Sequence, residues 1–269
     1  MKIKANGISM NYELKGKGRN LTLIHGGGDN LNSWYHQVPV FSEKYQVLTY
    51  DVRGHGKTEM PKGPVNTELW VKDLYALLQA LNIKETILVG HSLGGGIALN
   101  FTLAHPGMVK AIILSNSGLR PAPRNEEESN QMKAFTQRRI DLLRKEGLKI
   151  DVADRLKAMF SPGFVEKNPK VAAKYKSIFL QNKLEGYLRV VQAMGVPDTS
   201  LDLKGITCPI LVIAGEHDPY VNPTAGKSTQ QAIPGAQLKI LPSGHAPEIE
   251  ISQEYNNTIL GFLAEAGLG

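Results

Sequence analysis

Cysteine is nearly absent. Cys208 stands alone among 269 residues, which excludes an internal disulfide and a cysteine-built metal cage. No stretch approaches the roughly 18 apolar residues of a membrane span, and the opening MKIKANGISMNYEL lacks the apolar run of a signal peptide. These absences lead to the expectation of a soluble, cytoplasmic protein. Internal repeats are missing, and the acidic run at 126–128 is too short to be a tail. A chain this long buries enough apolar surface to need no covalent staple. It reads as one large domain, or one domain with a sizeable insertion.

Charge is present in excess of one sign, but unevenly. The formal net charge is +6, and all of it falls between 120 and 200, where sixteen Lys/Arg face ten Asp/Glu. That segment is either a solvated helical surface or a basic cleft that attracts an anionic ligand. Nucleic-acid binding would need basic residues interleaved with aromatics on one face. The helices here carry ordinary mixed charge, so no nucleic-acid partner is expected.

Up to residue 119 the chain alternates short β-branched runs with helical patterns. ISMNYEL (8–14), LTLI (21–24), QVLTY (46–50), TILVG (86–90) and KAIILS (110–115) read as strands. Residues 67–82 have apolar positions at helical spacing behind Asn66 or Thr67 as the cap, and 94–106 reads as a second helix closed by Pro106. The rhythm resumes after 200 with PILVIAG (209–215), a helix opening at Pro223, QLKILP (237–242) and a helical pattern over 251–267. Such alternation predicts a mainly parallel sheet with helices on both faces. Between the two halves, 129–146, 151–159, 169–182 and 184–194 read as four helices, with Asn168-Pro169 as a cap and first-turn pair. The expected organisation is an α/β core over 1–119 and 202–269 with a helical insertion over 120–201.

The stretch LVGHSLGGGIAL (88–99) sets a chemical question. Its glycines do not cradle phosphate as a P-loop, because no lysine follows them, and they do not fit GxGxxG. Gly90-His91-Ser92-Leu93-Gly94 does fit GxSxG between a strand and a helix, the setting in which a serine is presented on a sharp, strained turn. A serine needs a base, and the base needs an orienting acid. His245, in a glycine-containing loop after a late strand, is the expected base. Asp218, at the end of the strand PILVIAG, is the expected acid, with Glu216 as its rival. The order Ser92, Asp218, His245 is the one this kind of fold uses. Gly27, in His25-Gly26-Gly27-Gly28 after a strand, and Leu93 are expected to supply the oxyanion-hole amides. His25 and His55 read as loop braces, His55 together with Asp51 and Arg53, and the ring of His91 is expected to turn away from the site.

Together, HGGGDNLNSW, DVRGHGKT, GHSLGG, IAGEHDPYV and SGHAPEIE resemble the α/β-hydrolase superfamily over essentially the whole chain. The cap stretches 155–171 and 184–194 are similar to those of the carboxylesterase and 3-oxoadipate enol-lactonase-like group. The chain departs from the lactonase habit at His91, where a leucine often stands. The resemblance implies an eight-stranded, mostly parallel sheet with a helical cap inserted after strand 6, and neither metal nor organic cofactor. It implies a serine hydrolase acting on carboxylic esters of short to medium acyl chain. Enol-lactone hydrolysis, acyl-CoA thioester hydrolysis against the basic cap, and C–C bond hydrolysis use the same machinery. A ligand receptor built on this fold is the reading from a different class. The partner expected is a small ester, lactone or thioester, the chain itself being a monomer or homodimer. Candidate pocket residues are Trp34, Phe135, Phe160, Phe164 and Met194, with Met132 and Val196 beside them in the cap.

Overall fold

The computed structural model describes residues 1–119, 125–194 and 201–269, the side chains of 150 and 151 excepted. Strand β1 (Lys2–Ala5) turns through Asn6 and Gly7 into β2 (Ile8–Lys15). Both turn residues have positive φ, 46° and 75°, the geometry of a two-residue hairpin. β1 was not expected, although its Asn-Gly turn is a strong hairpin signal. Next come β3 (Asn20–Ile24), the short helix α1 (Gln37–Phe41), β4 (Gln46–Tyr50) and α2 (Thr67–Ala80). β5 (Thr86–His91), α3 (Leu93–Ala104) and β6 (Val109–Ser115) complete the first half.

Five helices then stand where four were expected: α4 (Glu126–Glu146), α5 (Leu148–Met159), α6 (Phe164–Lys167), α7 (Pro169–Phe179) and α8 (Leu184–Met194). The extra one, α6, is a single turn that apolar periodicity could not have revealed. Pro169 does open α7, but the Asn168 side chain does not cap it; its Nδ2 donates back to the Phe164 carbonyl instead. The chain ends with β7 (Ile210–Gly215), α9 (Pro223–Ala232), β8 (Gln237–Leu241), α10 (Pro247–Glu250) and α11 (Ser252–Glu265).

The eight strands pair in the order β1-β2-β4-β3-β5-β6-β7-β8. β2 runs antiparallel to β1 and β4, and every other pair is parallel. Alternation along the strands divides the core. Ile87, Val89, Ala111 and Ile113 face a layer containing Trp34, Phe41, Tyr255 and Phe262. Leu88, Ile112 and Leu114 face the opposite layer with Trp70, Leu74, Ile97 and Phe101. The central strands are buried on both sides and so read as continuous apolar runs. No helix among the described residues is long and apolar enough to cross a membrane.

The parallel strands end along one edge of the sheet, where open α/β sheets hold their ligands. The helices between β6 and β7 meet that edge. Asn182 of the α7–α8 turn donates to the Gly28 carbonyl and accepts from the Gly56 amide, at 2.6 and 2.8 Å. Asn30 donates to the Ile178 carbonyl at 2.9 Å, and Arg155 pairs with Asp29 at 3.2 Å.

Candidate active site

Ser92 follows β5 directly and caps α3, with φ 51° and ψ −114°. A non-glycine residue here is strained and persists only where its surroundings impose it. The surroundings are main chain: Ser92 N donates to the Ser115 carbonyl at 2.9 Å, and its own carbonyl accepts from Gly95 N at 3.0 Å. Gly90 and Gly94 make the turn possible. A Cβ on Gly90 would run into the Gly94 carbonyl, and one on Gly94 would run into the Ile24 carbonyl. Gly94→Ala is therefore expected to cost more than the roughly 1–3 kcal/mol of ordinary overpacking, because main chain cannot swing aside as a side chain can. Thermal melting checks this: a Tm within a degree of wild type would show that α3 lies further from β3 than described.

Asp218 and His245 come together from the ends of β7 and β8. His245 Nδ1 lies 2.7 Å from Asp218 Oδ2, and both side chains are buried. Burial pushes the Asp218 carboxyl up. The hydrogen bond and charge of His245, the Asn116 amide and the Tyr220 N–H outweigh it and hold the carboxyl below its ordinary range. Asn116 Nδ2 donates to Asp218 Oδ2 at 2.8 Å and to the Gly244 carbonyl at 3.1 Å. Tyr220 N donates to Asp218 Oδ1 at 2.7 Å. The loop bearing His245 is tied down by His217 N to the Ser243 carbonyl and by Gly244 N to Glu250 Oε2, at 2.9 and 2.8 Å. Glu216 and His217 are exposed, so the rival acid does not join the pair. Sequence reasoning missed Asn116 and Glu250. For Asn116 the signal was a polar residue one step past an apolar strand.

The loop after β3 is braced by two histidines. His25 Nε2 accepts from Val52 N at 3.0 Å while Nδ1 donates to the Gly26 carbonyl at 2.8 Å. His55 Nε2 accepts from Gly28 N at 2.9 Å. Burial holds both imidazoles below their ordinary pKa, which keeps a lone pair on each accepting nitrogen. Asp51 supports the same region by accepting from Leu31 N and Lys57 N, and Arg53 is paired with buried Asp73 at 2.6 Å. Gly27 therefore sits in a loop fixed from two sides. A Cβ on it would stand 3.9 Å from Leu93 Cβ and 2.6 Å from Met194 Sδ. Leu93 N, the first amide of α3, has no intrahelical acceptor. The loop carrying Gly27 thus packs against the first residue of α3, and both Gly27 and Ser92 line the same cavity.

Ser92, His245, Gly27 and Asn116 line one cavity of about 660 Å³. Phe135 and Met194 line it too, along with Arg138, Arg139 and Arg155. The other expected pocket residues lie elsewhere among the described residues. Trp34 is buried in the opposite core layer against α1 and α11, because the turn after the first loop carries it to the far face of the sheet. Phe160 and Phe164 stack on each other at 5.1 Å in a cluster with Tyr175 and Ile249, and Met132 faces outward on α4. Val196 lies outside the described residues.

His91 overturns an expectation. Its ring does not turn away: it lines the cavity, and its Nε2 lies 2.7 Å from the His245 carbonyl oxygen. Glu248 stands nearby, with Oε1 3.6 Å from His91 Nδ1. Burial drives the Glu248 carboxyl well above the ordinary carboxylate range, and Asp29, Glu250 and Asp218 add to the rise. The unfolded chain releases this proton near pH 4.5, whereas the fold keeps it. Stability contributed below that pH is consequently lost as pH rises towards the folded value. Glu248→Gln, which has no proton to lose, should melt increasingly above wild type as pH goes from 4.5 to 8. A gap in Tm that does not grow with pH would mean that Glu248 is ionised in the fold.

The profile of the alpha/beta hydrolase fold family matches residues 20–250. A 3-oxoadipate enol-lactonase of Acinetobacter baylyi is 29% identical over 259 residues, 96% of this chain and 94% of its own. The crystal structure of an enol-lactonase from Burkholderia xenovorans superposes with a TM-score of 0.90 at 28% identity, covering 98% of this chain and all of that one. A thermophilic esterase from Thermogutta terrifontis shares the fold at a TM-score of 0.90 and 24% identity, covering 99% and 98%.

Proposed function

The chain belongs to the alpha/beta hydrolase fold family, and from that premise we propose that it is a serine hydrolase that cleaves carboxylic esters through an acyl-enzyme. One observation carries the reading: strained Ser92 and the His245 of a buried His–Asp pair line the same cavity. In this reading His245 takes the Ser92 proton as the hydroxyl attacks the ester carbonyl. Asp218 fixes the Nδ1–H tautomer and balances the imidazolium charge. The amides of Gly27 and Leu93 meet the oxyanion, helped by the positive end of α3. His245 then protonates the leaving alcohol, and water attacks the acyl-enzyme by the reverse route. Helices α4, α5 and α8, which line the cavity, act as the cap that shields it from bulk water.

A second reading, for a lactone or ester bearing a free carboxylate, is favoured by the three arginines on the cavity wall. Arg139 donates to the Tyr187 hydroxyl at 2.7 Å and Arg155 pairs with Asp29. Arg138 is exposed and makes no ion pair with a described residue. Arg138→Gln should raise KM for a carboxylate-bearing ester about two- to fivefold, as suits an exposed charge pair worth up to ~1 kcal/mol. A neutral ester of equal length should be unaffected; equal losses on both would remove the carboxylate reading.

The direct test is turnover of p-nitrophenyl esters from acetate to dodecanoate, with mass spectrometry after a fluorophosphonate probe. Covalent mass on the peptide carrying Ser92, with turnover of the short esters, supports the proposal. Label on another residue would refute the nucleophile, and inertness towards every ester would turn attention to lactones and thioesters.

A further inference from the structure

His91 is 1% exposed, and the chemistry outlined above leaves it without a task. It is the last residue of β5, directly before Ser92. Its Nε2 is 2.7 Å from the main-chain oxygen of His245, and the two rings lie 4.9 Å apart. A carbonyl oxygen can only accept, so the proton of His91 resides on Nε2. Nδ1 faces Glu248 Oε1 at 3.6 Å and Asp29 Oδ2 at 3.8 Å, beyond hydrogen-bond reach. A Cβ on Gly26 would lie 2.7 Å from that Nδ1. One ring thus touches the loop after β3, the nucleophile turn and the histidine loop.

The other ties on the histidine loop come from elsewhere. His217 N reaches Ser243 from the acid loop, Asn116 reaches Gly244 from the end of β6, Glu250 reaches Gly244 from α10, and Ala246 N reaches the Met159 carbonyl of α5. Among the described residues, the His91 bond is the one that connects this loop to β5, the strand that leads into Ser92.

We propose that His91 is a positioning residue that sets the separation between the Ser92 turn and the His245 loop by donating its Nε2 proton to the His245 carbonyl. The inference rests on Ser92 and His245 being the reacting pair. Because His91 ends β5 and Ser92 follows it directly, the bond fixes the histidine loop relative to the nucleophile itself. Burial lowers the His91 pKa to about 4, so the ring is neutral at pH 7 with its single proton on Nε2. Acidification adds a proton at Nδ1 and leaves the bond in place.

The test compares His91→Leu, which fills the space without a donor, with His91→Gln, whose Nε2 can reach the same carbonyl. His91→Leu should lower kcat by about 10- to 100-fold, the cost of misplacing reacting groups by an ångström or less. Its KM should hold, and the acid limb of its pH–rate profile should move. His91→Gln should recover most of the lost kcat. Wild-type kcat in His91→Leu would overturn the proposal, as would a His91→Gln variant as slow as His91→Leu. Nitrogen-15 NMR of the wild-type histidines, assigned with His91→Gln, supplies a readout that does not depend on the leucine variant folding. An Nε2–H tautomer for His91 at pH 7 is expected, and Nδ1–H would overturn the strut. Ser92→Ala, run in parallel, separates the premises. Full turnover in it takes down the reacting pair and this inference together, whereas an inactive Ser92→Ala beside a fully active His91→Leu takes down the strut alone.

Discussion

Ser92→Ala is expected to lower kcat on a short p-nitrophenyl ester by roughly 10⁴- to 10⁶-fold, the range for removing the nucleophile from a serine hydrolase. Alanine keeps the Cβ and so keeps the strained backbone at φ 51°. The change leaves the Gly27 and Leu93 amides proposed for the oxyanion hole untouched, and the residual rate measures what that proposed hole contributes without a nucleophile. Ser92→Gly makes a sharper companion. It removes the same hydroxyl but accommodates positive φ without strain, relieving about 1–3 kcal/mol. It should therefore be as inactive as Ser92→Ala and melt higher, by about 2–4 °C per kcal/mol in a domain of this size. A Ser92→Gly variant that melts below wild type would show that the turn stores no strain. A Ser92→Ala variant with more than a tenth of wild-type kcat would end the nucleophile assignment.

Asp218→Asn should cost roughly 10⁴-fold in kcat with little change in fold, as loss of the orienting carboxylate does in serine hydrolases. The hydrogen bonds around Asp218 explain why an amide cannot replace it. Oδ2 accepts from His245 Nδ1 and from Asn116 Nδ2, while Oδ1 accepts from Tyr220 N. Three donors converge on a group that must only accept. An asparagine has a single acceptor oxygen, so its NH₂ must face either the Tyr220 N–H or the pair formed by His245 and Asn116. In the second orientation it strips the Nδ1 proton from His245 and moves it to Nε2, where a base needs its lone pair. In the first it strands a buried donor, and the imidazolium still has no counter-charge. Activity within tenfold of wild type in Asp218→Asn would remove Asp218 from the acid's role.

Most of the fold was legible because its signals are local. Seven strands could be placed from β-branched runs, and the three long core helices α2, α3 and α11 from their helical patterns, within a few residues of where they lie. The helices α4, α5, α7 and α8 were legible for the same reason, since their apolar positions recur at helical spacing. β1 was overlooked because four residues with mixed polarity carry little pattern, even behind an Asn-Gly turn. α6 and α10 span four residues each, too few for a helical period to register.

The site separates along the same line. Gly90 and Gly94 could be read as obligatory because a sharp strand-to-helix turn excludes a Cβ whatever the rest of the molecule does. The motif order also pointed to Ser92, Asp218 and His245, and the sheet brings Asp218 and His245 into contact. Trp34, Phe160 and Phe164 could not be assigned from sequence, since the path of a loop or of a short turn between helices decides which way an aromatic residue faces. The path of the chain after β3 put Trp34 in the far core, and the turn between α5 and α6 stacked Phe160 on Phe164 away from the cavity.

The sequence by itself determined which backbone conformations this chain must adopt near its strands: the glycine-framed turn at Ser92, the loop after β3, and the acid and histidine loops in their order. Those are short-range demands, met within a few residues. Which further side chains join Ser92, Asp218 and His245 there was decided by tertiary structure. Asn116 reaches Asp218 across 102 residues of chain, and His91 reaches the His245 carbonyl across 154. Contacts so distant in sequence depend on parallel register and on where the helices after β6 come to rest.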